Sequence, residues 1–287
     1  MSGFWPLYIG ICLELVSWLL GFNFMKFHRI NALLIRHMYL FKRSFPRIMD
    51  IVYWPVMDIL VWGFLSLYID TLHITGFNAI TVLLGAVVFW DFLNQSQKSV
   101  SIAFLEEVWE KNLLNIFVTP LRLSEFLGAT VLVGVVRIFL VGIVLSSLSY
   151  LFYHFNLFSL GFYLIPFVLN LFLFGWSLGI FTNAIILRFG TSAQILAFGF
   201  IILIQPFSAV FYPVSALPSG LQVVAGLLPS TYVFEGMRSV LSTGSLPTAL
   251  LVGAFATNAV YLILTLWFFA RMFAYVKREG KLLKLEG

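Results

Sequence analysis

Six stretches of this sequence are predominantly apolar over the thickness of a lipid bilayer: residues 51–69, 76–95, 126–152, 161–187, 193–212 and 247–272. A helix needs about 20 such residues to cross the hydrocarbon core. Lipid offers no partner to backbone N–H and C=O groups, so a crossing segment must satisfy its own backbone, as a helix does. None of the stretches shows the alternating, turn-punctuated segments of about ten residues that a membrane β-barrel requires. Composition closes the remaining alternatives. Only 10% of the 287 residues are charged and 61% are hydrophobic, against roughly 25% charged in a soluble domain. That excludes a cytosolic enzyme, a secreted disulfide scaffold and a disordered chain. One cysteine, Cys12, allows neither an internal disulfide nor a cysteine-based metal cluster. The expected fold class is an all-α polytopic membrane protein.

The net charge of +5 invites a nucleic-acid reading, but in a membrane protein the placement of positive charge matters more than its sum. All but two of the 17 Lys and Arg lie in segments that six spans put on one side. These are Lys26, Arg29, Arg36, Lys42, Arg43 and Arg47 before the first span; Lys98, Lys111 and Arg122 around the loop after the second; Arg188 after the fourth; and Arg271, Lys277, Arg278, Lys281 and Lys284 at the end. The exceptions are Arg137, inside a span, and Arg238. The positive-inside rule makes the rich side cytoplasmic, which predicts six spans with both flanks inside. Residues 4–22 form a further apolar stretch carrying Pro6 and Glu14. With no basic start and no A-x-A site it is not a cleaved signal; it reads as an interfacial segment, an extra span being the alternative. The chain thus divides into an apolar segment 1–23, an amphipathic helix 24–47 and a membrane domain 48–287.

Two cytoplasmic helices are expected outside the spans. In residues 24–43, Phe27, Ile30, Leu34, Met38 and Phe41 recur at helical spacing, while Arg29, Arg36 and Arg43 recur every seven residues on the other face. That pattern suits a helix lying on the membrane surface with its arginines towards headgroups or a protein partner. The second is predicted over 105–118. Leu105, Val108, Trp109, Leu113, Ile116 and Phe117 form its apolar side and Glu106, Glu107 and Glu110 its acidic one, with Thr119-Pro120 as the stop. An acidic face on the cytoplasmic side is not explained by topology, since Asp and Glu contribute little to it; it suits docking onto another protein.

The sequence holds no G-x-x-x-x-G-K-[ST], no G-x-G-x-x-G and no G-x-S-x-G, so no nucleotide-phosphate loop or nucleophile elbow is expected. His28, His37, His73 and His154 are scattered, without metal-ligand spacing. Inside the spans the ionisable residues are Asp58, Asp91 and Arg137. Such residues usually face a bundle interior and pair with one another. Arg137 is expected to reach down to Asp58 as a structural ion pair, and Asp91 to mark the wet end of its helix.

Residues 211–238 are apolar but interrupted by Pro213, Pro218 and Pro229, which suggests two short helices dipping in from the outer face rather than one span. Glu235 and Arg238 are spaced for a helix-surface pair. This segment resembles the permease subunits of ABC-2 type transporters. Their pattern P-x-S-x-L-P-x-x-L-Q fits Pro213 to Gln222, with Pro218 inside it. Their P-x-T-Y-x-x-E-x-x-R fits Pro229, Tyr232, Glu235 and Arg238. The loop with Glu106, Glu107, Trp109, Glu110, Thr119 and Pro120 is similar to the family's coupling helix, and the helix of Arg29, Arg36 and Arg43 to its interface helix. The resemblance implies a six-span bundle, broken outer helices over 213–246, a homodimer of permeases and two ATP-binding cassette subunits. It implies that ATP and Mg are held by those partners and no cofactor by this chain, in the plasma (inner) membrane. The implied activity is export of an amphipathic or hydrophobic cargo: a drug, a lipid or a lipid-linked glycan.

A polysaccharide (O-antigen) exporter is the alternative within that family. A membrane-embedded transferase would need His, Asp or Ser converging from several span ends, and a passive channel a polar ring or filter loop; neither pattern is present in the sequence.

Overall fold

The computed structural model describes residues 27–72, 79–112, 115, 116, 119, 121, 123–245 and 247–279. The apolar segment 1–23 lies outside them, as do His73, Leu113, Phe117 and Pro120. Among the described residues there are nine α-helices and no strand. In chain order these are α1 (Phe27–Arg43), α2 (Phe45–Thr71), α3 (Ala79–Trp109), α4 (Leu123–Tyr153), α5 (Leu164–Phe189), α6 (Leu196–Ile204), α7 (Ser219–Leu227), α8 (Pro229–Thr243) and α9 (Thr248–Arg278).

Four helical stretches are long and apolar enough to cross a membrane: Phe45–Thr71, Ser124–Tyr153, Leu157–Phe189 and Thr248–Arg278. They contain most of the expected stretches 51–69, 126–152, 161–187 and 247–272. Helix α3 is as long as α9, 31 residues each, but its middle carries Asp91, Asn94, Gln95, Gln97 and Lys98. The stretch 193–212, expected as one span, is broken. A 3-10 turn (Gly190–Ala193) precedes α6, and a second (Gln205–Phe207) ends it at Pro206. The resulting apolar helix, Leu196–Ser208, is too short for the bilayer core. Hydropathy alone does not register where a proline stops a helix.

The predicted helix 105–118 is also redrawn. No breaker separates the second apolar stretch from Leu105, so α3 runs on to Trp109 and stops where Lys111 takes φ of 52°. Its end bears Glu106 and Glu107, so the acidic residues sit on a rigid extension of a long helix.

Helix α5 is the hub, packed against α3, α8 and α9. Its Gly175-Trp-Ser-Leu-Gly179 has the small-xxx-small spacing that lets helix backbones approach closely. A Cβ on Gly175 would lie 2.7 Å from the Leu93 carbonyl oxygen, and one on Gly179 2.8 Å from that of Gln97. Polar ties hold the same helices. Asn183 Nδ2 donates to the Val100 carbonyl (3.1 Å), Asn258 Nδ2 to Asn170 Oδ1 (2.9 Å), and Gln97 Nε2 to the Ala197 carbonyl (3.1 Å). Because the obstacle at Gly175 is backbone, Gly175→Ala is expected to cost about 1–3 kcal/mol through overpacking, read as a lowered unfolding midpoint in detergent. Gly199→Ala, with nothing within 4 Å of its Cβ, is expected to leave the midpoint unchanged.

Candidate functional site

Three arginines from the start of the described chain grip the acidic ends of α3 and α4. Arg36 makes a two-pronged pair with Glu107, its Nη2 donating to Oε2 at 3.0 Å, and also reaches Glu110 at 3.4 Å. Arg47 Nε donates to Glu106 Oε1 at 2.8 Å and its Nη2 to Glu110 Oε1 at 3.1 Å. Arg29 pairs with Glu125 at 3.3 Å. Glu107 is 1% exposed and Glu125 fully buried, so these are desolvated carboxylates that need their partners. The hydrogen bond to Glu107 raises the Arg36 guanidinium above its ordinary pKa, against the opposing pull of burial. Asn112 Nδ2 adds a donor to Glu107 Oε2 at 2.8 Å.

This clasp revises the expected faces. Arg29 and Arg36 turn into the protein with Ile30, Leu33 and His37, whereas Phe27 (74% exposed) and Met38 lie outward; Arg43 alone of the three arginines is fully exposed. The acidic residues expected to await another protein are taken up within the chain. Of the expected apolar face Ile30 is buried and Leu34 and Phe41 are half-buried, so that face turns inward in part, and ion pairing draws Arg29 and Arg36 in beside it. Arg47, which carried only a topological role in the sequence, is the missed member; the matching acids at 106 and 110 were the available signal. Trp109 is 49% exposed, and its indole Nε1 donates to Gln194 Oε1 at 3.0 Å in the link between α5 and α6. Thr119 Oγ1 donates to the Ile116 carbonyl at 2.6 Å.

The ion pair expected between Asp58 and Arg137 is not formed. Arg29–Glu125 and Phe41–Arg137 are contacts with the same spacing along both helices, so α1 runs parallel to the first turns of α4 and covers Arg137. Its guanidinium lies 5.4 Å from the Phe41 ring centroid and shares a cleft with Arg47 near the start of α2. Asp58 lies higher, opposite Asp91. The antiparallel register of α2 and α3 that brings Asp50 to Lys98 (3.1 Å) also sets Asp58 beside Asp91. Asp91, expected at a wet helix end, is 2% exposed and its Oδ2 accepts no hydrogen bond among the described residues.

The proline-bounded segment folds as two helices. Pro218 precedes α7 and Pro229 opens α8, and Pro213 leads into a short 3-10 turn, Val214–Ala216. A proline suits a helix start because the N–H it lacks has no partner there. Glu235 Oε1 accepts from Val214 N–H at 2.7 Å and from Arg238 Nη2 at 3.0 Å. Arg238 also donates to the carbonyls of Ala209 (2.8 Å) and Val210 (3.1 Å). Gln222 Nε2 caps the Leu217 carbonyl at 2.8 Å and Tyr232 OH donates to the Gly226 carbonyl at 2.7 Å. Gln222, Tyr232, Glu235 and Arg238 of the motif thus each fasten a turn. Trp62 of α2 stacks on Phe211 with centroids 3.9 Å apart, joining the first span to this segment. Among the described residues no group of His, Cys, Asp or Glu is arranged to hold a metal ion.

No curated protein matches the chain. A family model described as ABC-2 type transporter matches residues 11–242, a range that takes in the arginine clasp, the hub helix and nearly all of the proline-bounded segment. With a match over most of its length and an all-helical body of long apolar helices, the chain belongs to the ABC-2 type transporter family, as a multi-pass membrane permease component that works with an ATP-binding cassette partner.

Proposed function

We propose that this permease is an exporter subunit. It crosses the plasma (inner) membrane six times, α3 and the interrupted segment around α6 with its flanking 3-10 turns adding two crossings to the four long apolar helices, with α1, the ends of α3 and α4 and the C-terminus in the cytoplasm. Two copies pair over two cassette subunits, and they move an amphipathic or hydrophobic compound (a drug, a lipid or a lipid-linked glycan) out of the cytoplasm or the inner leaflet. ATP and Mg bind the partner, and this chain supplies no cofactor site. The observation that carries the reading is the clasp of Arg29, Arg36 and Arg47 on Glu125, Glu107, Glu106 and Glu110. It fuses α1 and the starts or ends of three long helices into one charged unit. A push on such a unit moves the spans together, whereas a push on a loop would be lost in its flexing. Trp109 at the margin of the clasp offers the exposed aromatic anchor that partners commonly use.

Orientation is tested first. A cysteine at Ser219 is expected to react with an impermeant thiol reagent from outside and one at Glu110 only after permeabilisation; the reverse pattern overturns the orientation. Coupling is tested by Trp109→Ala, which removes a hot-spot type of contact often worth about 2 kcal/mol or more. It is expected to lower cassette co-purification or transport at least about tenfold while the chain still inserts. Trp62→Ala, on the Phe211 side, is expected to leave cassette association intact. Full assembly and transport by Trp109→Ala would remove this surface from the coupling path.

A further inference from the structure

A cleft lies where α1 passes α4, and its walls include His37, Phe41, Arg47, Glu106, Val136 and Arg137. Two of its polar groups are more than nine-tenths buried yet incompletely bonded. Arg137 is 7% exposed and its Nε has no hydrogen-bond partner; His37 is 8% exposed and its Nε2 has none. The acids nearby are already engaged: Glu106 accepts from Arg47 and Asp50 from Lys98. The His37 Nδ1 faces the Leu33 carbonyl at 2.9 Å, and a carbonyl can only accept, so Nδ1 carries the proton. A guanidinium with no carboxylate on it, kept out of water, leaves an unmatched positive charge. Arg47 is already held by Glu106 and Glu110, so Arg137 is the unmatched charge that makes the cleft cationic.

Its position narrows the anion. Arg137 shares the cleft with Arg47 near the start of α2, where the first span begins, which is the depth of lipid phosphates. Beyond it on α4, Phe139, Leu140 and Ile143 are exposed and continue along the membrane-crossing part of the helix, with Met38 of α1 on the near rim. A charged socket opening onto an apolar strip matches a headgroup with its chains. We propose that this cleft binds the phosphate of an anionic phospholipid, with Arg137 as its main ligand, Arg47 and His37 beside it, and the acyl chains along Phe139, Leu140 and Ile143. Basic pockets between helices at the membrane boundary are a recurrent way of holding such headgroups. The bound lipid would brace α1 against α4 directly beside the clasp, independently of what the transporter carries.

The test uses the full chain in detergent, stripped of lipid and titrated with phosphatidylglycerol, phosphatidylcholine or inorganic phosphate. Lipid retention is followed by native mass spectrometry. Phosphatidylglycerol is expected to be held at least about tenfold more firmly than phosphatidylcholine, whose identical phosphate carries a choline cation that the unmatched arginine repels. Arg137→Gln is expected to bring the two lipids level. Val136→Phe, which fills the cleft and touches no charge, is expected to do the same and decides the question should Arg137→Gln fail to fold. Arg188→Gln, an exposed arginine away from the cleft, is expected to leave the preference intact. Retention of phosphatidylglycerol at the wild-type level by Val136→Phe overturns the site. Displacement of phosphatidylglycerol by inorganic phosphate at comparable concentration overturns the lipid as its occupant.

Discussion

Arg36→Ala is expected to destabilise the protein by about 3 kcal/mol, the lower end of what breaking a buried ion pair costs. Glu107 is 1% exposed and loses both prongs of the Arg36 fork, but it keeps the Asn112 amide at 2.8 Å, which is why the lower end applies. Glu110, paired at its exposed edge, adds little, since exposed ion pairs are worth about 0–1 kcal/mol. The double change Arg36→Ala with Glu107→Ala is expected to recover more than half of the loss, because removing both charges also removes the desolvated orphan. Unfolding midpoints of the four proteins in the cycle check this. Additive losses would mean that Arg36 and Glu107 do not depend on each other. Arg43→Ala, fully exposed in the same helix, is the control and is expected to change stability by less than about 0.5 kcal/mol.

Arg238→Ala is expected to unfasten the proline-bounded segment, at about 3 kcal/mol. The guanidinium spans the carbonyls of Ala209 and Val210 and the Glu235 carboxylate, and a buried hydrogen bond to a charged group contributes about 1.5–3 kcal/mol net, less where the group is part-exposed as here. Ala209 sits at φ of 51°, a backbone state that alanine rarely holds without support, so loss of the clamp frees a strained turn as well. Faster amide exchange at 209–217, with α5 and α9 unchanged, is the expected signature. Glu235→Gln keeps an acceptor for Val214 N–H and is expected to cost only about 1 kcal/mol. Unaltered exchange at 209–217 in Arg238→Ala would show that the segment is held by packing, with the motif arginine contributing nothing.

Much of this protein was determined by its sequence alone. Apolar stretches of bilayer length can only be helices, and four of the six lie in helices long and apolar enough to cross a membrane, at nearly the expected places. The prolines at 213, 218 and 229 announced broken helices because a residue without an N–H starts a helix more readily than it continues one, and Pro229, Tyr232, Glu235 and Arg238 carried the family likeness that the match over residues 11–242 bears out. What tertiary structure decided was which charge meets which. Arg36 and Glu107 are 71 positions apart, and nothing local says that α1 turns its arginines inward beside Ile30 and Phe41. The distance of Arg137 from a span's end was measurable along the chain. Its level relative to α2 was not, because that depends on how far α4 begins below the first span. The pairing of Asp58 with Arg137 failed for that reason, and Asp91 proved buried because its surroundings come from neighbouring helices. Periodicity describes one helix at a time, whereas a partner for a charge is chosen by the register between helices.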